Sequence, residues 1–227
     1  MKLTIVAATG GIGRELLGQA LAAGHDVTAV VRNPDKLPGQ VRAAGQARTV
    51  VADLAAADPV ALESAVAGAD AVLSGLGPRS SSDAGIASRG TRAIVAAMQA
   101  TGVRRIVVVS AAPVGTVASS RRPDPPRHDP GDGFFMRYLG SPFARAAFGK
   151  VYTDLVGMED MLASSGLDWT SVRPPRLTSK PLTGTYRTAA GQNVRGGWFV
   201  SRADVAHFML QALDRPETIG HTIGIAG

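Results

Sequence analysis

AATGGIG, residues 7–13, follows the apolar run Leu3–Ala8 and leads into a segment where Ile12, Leu16, Leu17, Ala20 and Leu21 recur at helical spacing, ending at Gly24. An apolar strand, a glycine turn and an amphipathic helix form the βαβ context in which such a turn meets an anion. Gly10 lets the backbone come close to a pyrophosphate, Gly13 permits tight packing of helix on strand, and the helix N-terminus offers free N–H groups. Ala7 stands where the commonest fingerprint has its first glycine. With a Cβ, it is expected to keep a negative φ.

Working outward, strand and helix patterns alternate, as they do in a parallel sheet with crossover helices. Val27–Arg32 is a second strand, Thr49–Ala52 a third, 69-ADAVLSGLG-77 a fourth and 104-RRIVVVSAA-112 a fifth; 167-LDWTSVRPP-175 is a sixth, and 221-HTIGIAG-227 ends the series. Helices are expected over 58–68, with Asp58 as cap and Pro59 at the first position, and over 84–100 and 151–165. Another is expected over 201–213, with Ser201 as cap and Asp204 three residues on. The fold class is α/β: a Rossmann-like, doubly wound parallel sheet flanked by helices, in one domain spanning 1–227. A small irregular or β region over 181–200 would lie on the substrate side.

The pattern breaks over 113–149. The run 121-RRPDPPRHDPGDG-133 is polar and Pro-rich, and 134-FFMRYLGSPFARAAF-148 gathers aromatics. A loop of this length is expected to serve as a lid, with a disordered insertion as the alternative for 121–133.

Composition narrows the function classes. The chain of 227 residues has no cysteine, which excludes disulfides and thiolate chemistry and agrees with a reducing, cytoplasmic setting. Its four histidines are far apart, so no metal site is expected. No apolar run reaches the about 18–20 residues of a membrane span, and no export signal is visible. The net charge of +6 comes from scattered residues, only four of the 24 basic ones being lysine. With no basic stripe, nucleic acid is not an expected partner; a small anionic ligand suits the charge as well.

Arg32, at the end of the second strand, adds an independent clue. In an NAD-selective fold an acidic residue there holds the ribose 2′-hydroxyl, whereas an arginine fork suits a 2′-phosphate. NADPH is therefore the expected cofactor, in preference to NADH. Lys36 and Arg14 are placed to add charge.

The stretches 8-ATGGIG-13, 30-VVRNPDKL-37, 50-VVADL-54, 70-DAVLSGLGPR-79, 90-GTRAIVAAMQATGVRRIVVVSA-111, 165-SGLDWTSVRPPRL-177, 181-PLTGTY-186 and 204-DVAHFML-210 carry a resemblance. Together they resemble the atypical short-chain dehydrogenase/reductases of the NmrA-like, NAD(P)H-binding group. Within that group the similarity runs to the flavin reductase (biliverdin reductase B) branch, over nearly the whole chain except the Pro-rich insertion. The resemblance implies that Thr9, Gly10, Gly11, Ile12 and Gly13 line the pyrophosphate and that Arg32 and Lys36 take the 2′-phosphate. It also implies that Asp53 and Leu54 border the adenine, that Leu76, Gly77 and Arg79 follow the cofactor along the fourth strand, and that Ser110 sits near the nicotinamide; Pro174 is also expected to touch the cofactor.

Typical short-chain dehydrogenases use Tyr-x-x-x-Lys, the lysine lowering the phenol pKa for proton transfer to a carbonyl. Tyr152 is followed four residues later by Val156, and Lys150 falls on a different helical face. A flavin, quinone or linear tetrapyrrole needs less help, because it accepts the hydride directly and the protein mainly aligns two planar rings. Ser110 and Tyr152 are the candidate catalytic residues. Phe134, Phe135, Met136, Tyr138, Pro174, Pro175 and Trp198 are candidate walls of an apolar pocket, with flavin as substrate and not as a tightly bound group. The sequence leaves a second reading open: a regulatory NADP(H) sensor that binds a protein partner without turnover.

Overall fold

The computed structural model describes residues 1–39, 41, 45–54, 58–78, 80, 83–133 and 141–227, with the backbone alone for 141–147. The elements run β1 (Lys2–Val6), α1 (Gly11–Ala22), β2 (Asp26–Val31), β3 (Ala47–Val51), α2 (Pro59–Val66), β4 (Ala71–Ser74), α3 (Ile86–Thr101) and β5 (Arg105–Val109). They continue with α4 (Ser141–Ser164), β6 (Asp168–Arg173), β7 (Arg176–Thr178), β8 (Arg187–Ala190), β9 (Phe199–Ser201), α5 (Arg202–Gln211) and β10 (His221–Ala226).

The main sheet has the order β3-β2-β1-β4-β5-β6-β10-β8, with β7 and β9 paired separately. All its pairings are parallel except the one at the β8 edge, where β8 runs antiparallel to β10. Chain order reverses between β1 and β4, the switch point at which such sheets open a crevice outside the carboxyl ends of the strands.

Period-2 alternation divides the core. In β5, Val107 and Val109 face one layer and Ile106 and Val108 the other. The first layer is closed by Leu16 and Leu17 of α1 with Phe208 and Met209 of α5. The second is closed by Leu62 of α2, Ile94 and Met98 of α3, and Leu155, Met158 and Leu162 of α4. Leu16 and Leu17 are fully buried, each contributing roughly 1.5–3 kcal/mol. In the interior of the sheet Arg173 of β6 pairs with Glu159 of α4, which also accepts from Ser171, so both buried charges are satisfied.

Two expectations are corrected. Ala7 takes a left-handed backbone with φ 58°, not a negative φ, and is the one non-glycine so placed among the described residues. Its carbonyl accepts from Gly10 N–H at 2.8 Å, so the need to close the turn overrides the cost of the Cβ, about 1 kcal/mol.

The second correction concerns 113–149, which is not one long loop. Residues 141–149 belong to α4, which bends at Phe148 (φ −127°, ψ 21°). Residues 119–132 are tied down: the Asp160 carboxylate accepts from Ser119, Ser120 and the Arg121 N–H, and Asp129, buried, accepts from the N–H groups of Gly131 and Asn193. Asp132 accepts from the Asn193 side chain at 3.0 Å. Arg121–Gly133 is therefore held, not a disordered insertion. Phe134, Phe135, Met136, Tyr138 and Arg79 lie outside the described residues.

Candidate functional site

The loops after β1, β2, β3, β4, β5 and β6 all leave the same edge of the sheet. Between them lies a cleft of about 540 Å³, within the range of small-molecule sites. Its floor is the glycine turn. Thr9, Gly10, Gly11 and Ile12 line it, while Gly13 sits behind, where a Cβ would meet the Ala7 carbonyl oxygen at 2.0 Å. Gly75, after β4, is also closely approached: a Cβ there would lie 2.8 Å from the Gly13 nitrogen.

Caps distinguish the helix ends. Asp58 caps α2, Ser201 caps α5, and Asp154 reaches from α4 to accept from Ala87 N–H and Ser88 N–H at the start of α3. At α1 the cap is Gly10, with no side-chain bond and no acidic residue in the first turn. The amides of that turn face the cleft with the positive end of the helix dipole.

Arg32 lies exposed at one end of the cleft, with Asp53 and Leu54 beside it on the loop after β3. Lys36 is not on the cleft wall; it ends the short turn after β2, whose Asn33 side chain accepts from Asp35 N–H. Arg14 donates to the Lys36 carbonyl at 3.4 Å and ties that turn to α1. Leu76 and Gly77 border the middle of the cleft, and Ser110, Pro174, Pro175 and Tyr152 its far end. Trp198 is exposed and is not part of this wall.

Ser110 and Tyr152, the two candidate catalytic residues, both line the cleft. Ser110 is 7% exposed, and its Oγ has no hydrogen-bond partner among the described residues. An orphaned buried hydroxyl costs about 1–3 kcal/mol unless a ligand satisfies it, so it fits a carboxamide or carbonyl oxygen arriving at this end. Burial pushes the Tyr152 phenol above its ordinary pKa. That is opposite to the effect of a neighbouring lysine, and the position four residues on holds buried Val156.

Among the cleft residues that escaped the sequence reading, Arg202 stands out. Arg202, the first residue of α5, lies across Gly11 and donates from Nη1 to Ser179 Oγ at 3.1 Å. A cation in the first turn of a helix opposes the dipole, a signal that was available in the sequence. At the other end of the PLTGTY stretch, Tyr186 and His207 share a hydrogen bond of 2.8 Å, so His207 is satisfied structurally.

Fold and cleft together define a dinucleotide-binding α/β protein. Residues 7–216 match the model of the NAD(P)H-binding family, and the chain belongs to that family.

Solved structures repeat the fold. A short-chain dehydrogenase/reductase from Veillonella parvula in complex with NADP aligns with a TM-score of 0.78 at 19% identity, covering 100% of this chain and 94% of its own. An anaerobilin reductase from Escherichia coli O157:H7 gives 0.73 at 23%, covering 99% and 97%. A candidate NADH-flavin reductase from Streptococcus pneumoniae gives 0.71 at 22%, covering 100% and 99%.

Among the described residues no helix is long and apolar enough to cross a membrane, and no cluster of His, Asp or Glu is arranged to hold a metal.

Proposed function

We propose that the protein is an NADPH-dependent reductase that delivers hydride to a planar acceptor, a flavin or a linear tetrapyrrole. The observation that carries this reading is Tyr152: a phenol facing the cleft, with no lysine four residues on and a pKa raised by burial. Such a phenol is a poor base for oxidising an alcohol or a sugar, and it can still donate a hydrogen bond. Acceptors that take hydride into a conjugated ring system need alignment and exclusion of water more than a strong acid. The flavin- and tetrapyrrole-reducing descriptions of two structural relatives agree with this class.

When bound, the dinucleotide supplies the hydride. The chain's own groups do the holding. The uncapped start of α1 receives the diphosphate, and Arg32 pairs with the 2′-phosphate, favouring NADPH over NADH. Ser110 Oγ gives or accepts a hydrogen bond at the nicotinamide end. Pro174 and Pro175 form the apolar wall against which a flat acceptor lies.

The test is anaerobic NADPH oxidation against a panel of FMN, riboflavin, a linear tetrapyrrole, a quinone and a simple ketone. Turnover with the planar acceptors and none with the ketone supports the reading. Tight NADPH binding with no turnover on any of them would overturn it in favour of a non-catalytic sensor of NADP(H).

A further inference from the structure

Arg202 and Gly11 are 191 positions apart in the chain, yet each explains the other. A Cβ built on Gly11 would stand 2.8 Å from Arg202 Nε and 2.9 Å from its Cδ. The arginine stem therefore lies flat on the glycine turn, in the space any other residue at position 11 would fill. Ser179 Oγ accepts from Nη1 and holds the arm from the far side. Gln19 Nε2 donates to the Ala203 carbonyl at 2.9 Å and fixes the start of α5 against α1. The result is a guanidinium, brought from the start of α5 near the end of the chain, standing over the first turn of α1. That turn is uncapped and carries no acidic residue.

We infer that Arg202 is a cofactor-positioning residue that closes over the dinucleotide diphosphate from the side opposite the amides of the glycine turn, and that Gly11 lacks a side chain to make room for it. The inference rests on the cleft holding NAD(P)H, the part of the functional reading that family membership supports. A cation at the first position of α5 is unfavourable to that helix by itself. Against an anion shared with the start of α1 it becomes favourable, through charge-assisted hydrogen bonds from a planar fork. The site then has two separate cationic contacts: Arg32 at the 2′-phosphate end and Arg202 at the diphosphate.

The experiment is direct binding by titration calorimetry, without turnover, of NADPH and of adenosine 2′-monophosphate, which lacks the 5′ diphosphate. The proteins are the wild type, Arg202→Ala, Arg202→Lys, Gly11→Ala and the Gly11→Ala/Arg202→Ala double variant. Arg202→Ala should weaken NADPH roughly ten- to hundredfold, the scale of a charged hydrogen bond, and leave adenosine 2′-monophosphate unchanged. Arg202→Lys should recover part of the loss. Gly11→Ala should displace the flexible arm, reproduce most of the defect and add little in the double variant, because both changes remove one interaction.

Equal losses for NADPH and the fragment would overturn the inference, as would an NADPH affinity unmoved by Arg202→Ala. Additive losses in the double variant would overturn the role given to Gly11. A protein that binds NADPH but turns over no acceptor fails the reductase reading and leaves these constants measurable.

Discussion

The carbonyl oxygen of Ala7 occupies the space that a side chain at position 13 would need, 2.0 Å from where a Cβ on Gly13 would stand. That contact brings α1 down onto the end of β1 and sets its first turn at the cleft. It forms because Ala7 turns its backbone into the left-handed region, at φ 58°.

Ala7→Gly should therefore stabilise the protein, by about 1 kcal/mol, since glycine adopts this φ without a Cβ penalty. A rise in thermal midpoint of roughly 2–4 °C is expected for a chain of this size. Gly13→Ala should do the reverse, strongly, because its Cβ meets backbone that has nowhere to go. A melt in which Ala7→Gly is neutral or worse would show that the turn is not strained.

Tyr152→Phe should leave flavin reduction within about threefold of wild type. With the phenol pKa raised by burial, the proton stays on throughout the neutral range, so kcat/KM should show no basic limb from this group below pH 9. A steep loss in the phenylalanine variant, or a limb near pH 7, would mean that the phenol transfers a proton in the rate-limiting step.

Asp204 joins the PLTG turn to α5. Burial alone would raise its pKa, but hydrogen bonds from Ser201, Thr183 and Gly184 outweigh it and hold the carboxyl below its ordinary value. A depressed folded pKa means stability that is present above the unfolded pKa, about 3.9, and is lost as pH falls through the folded one. The stability gap between wild type and Asp204→Asn should thus be full at pH 7 and shrink below about pH 4. Urea titrations at the two pH values measure it; a gap independent of pH would contradict the assignment.

Asp129 and Asn193 clasp the 119–132 segment to the connection between β8 and β9. Asp129→Ala should open that segment to trypsin after Arg127 while the helices and main sheet persist. Digestion followed by mass spectrometry reads this; wild-type resistance in the variant would mean that the Asp160 contacts alone hold the segment.

The order of the parallel strands β1–β6 and β10 and of the helices between them was legible because these β-runs and helices announce themselves locally, through alternation, periodicity and caps such as Asp58 and Ser201; the short strands β7–β9 and the first turns of α4 were not. The position of the glycine turn was legible too. What escaped the sequence depends on distant partners. Asp154 caps α3 from another helix, and Arg202 reaches Gly11 from the far end of the chain; no spacing rule connects them. For 121–133 the Pro-rich composition left a disordered insertion open as the alternative, because the contacts that hold the segment come from Asp160 and Asn193, both remote in sequence. Ala7 was misjudged for a different reason: residue preference speaks of the average cost of a left-handed Cβ, while the turn hydrogen bond to Gly10 and the packing of α1 decide this one.

In the proposed reductase the choice of NADPH over NADH lies at Arg32, exposed at the end of β2 beside the cleft. The most direct test is the ratio of kcat/KM for NADPH to that for NADH, measured anaerobically with saturating FMN, in wild type and Arg32→Ala. The account predicts a ratio well above 1 in wild type, falling by roughly tenfold or more in the variant, almost wholly through the NADPH value, as expected for loss of a charge-assisted fork. A ratio near 1 in wild type, or one that Arg32→Ala leaves unchanged, would contradict it.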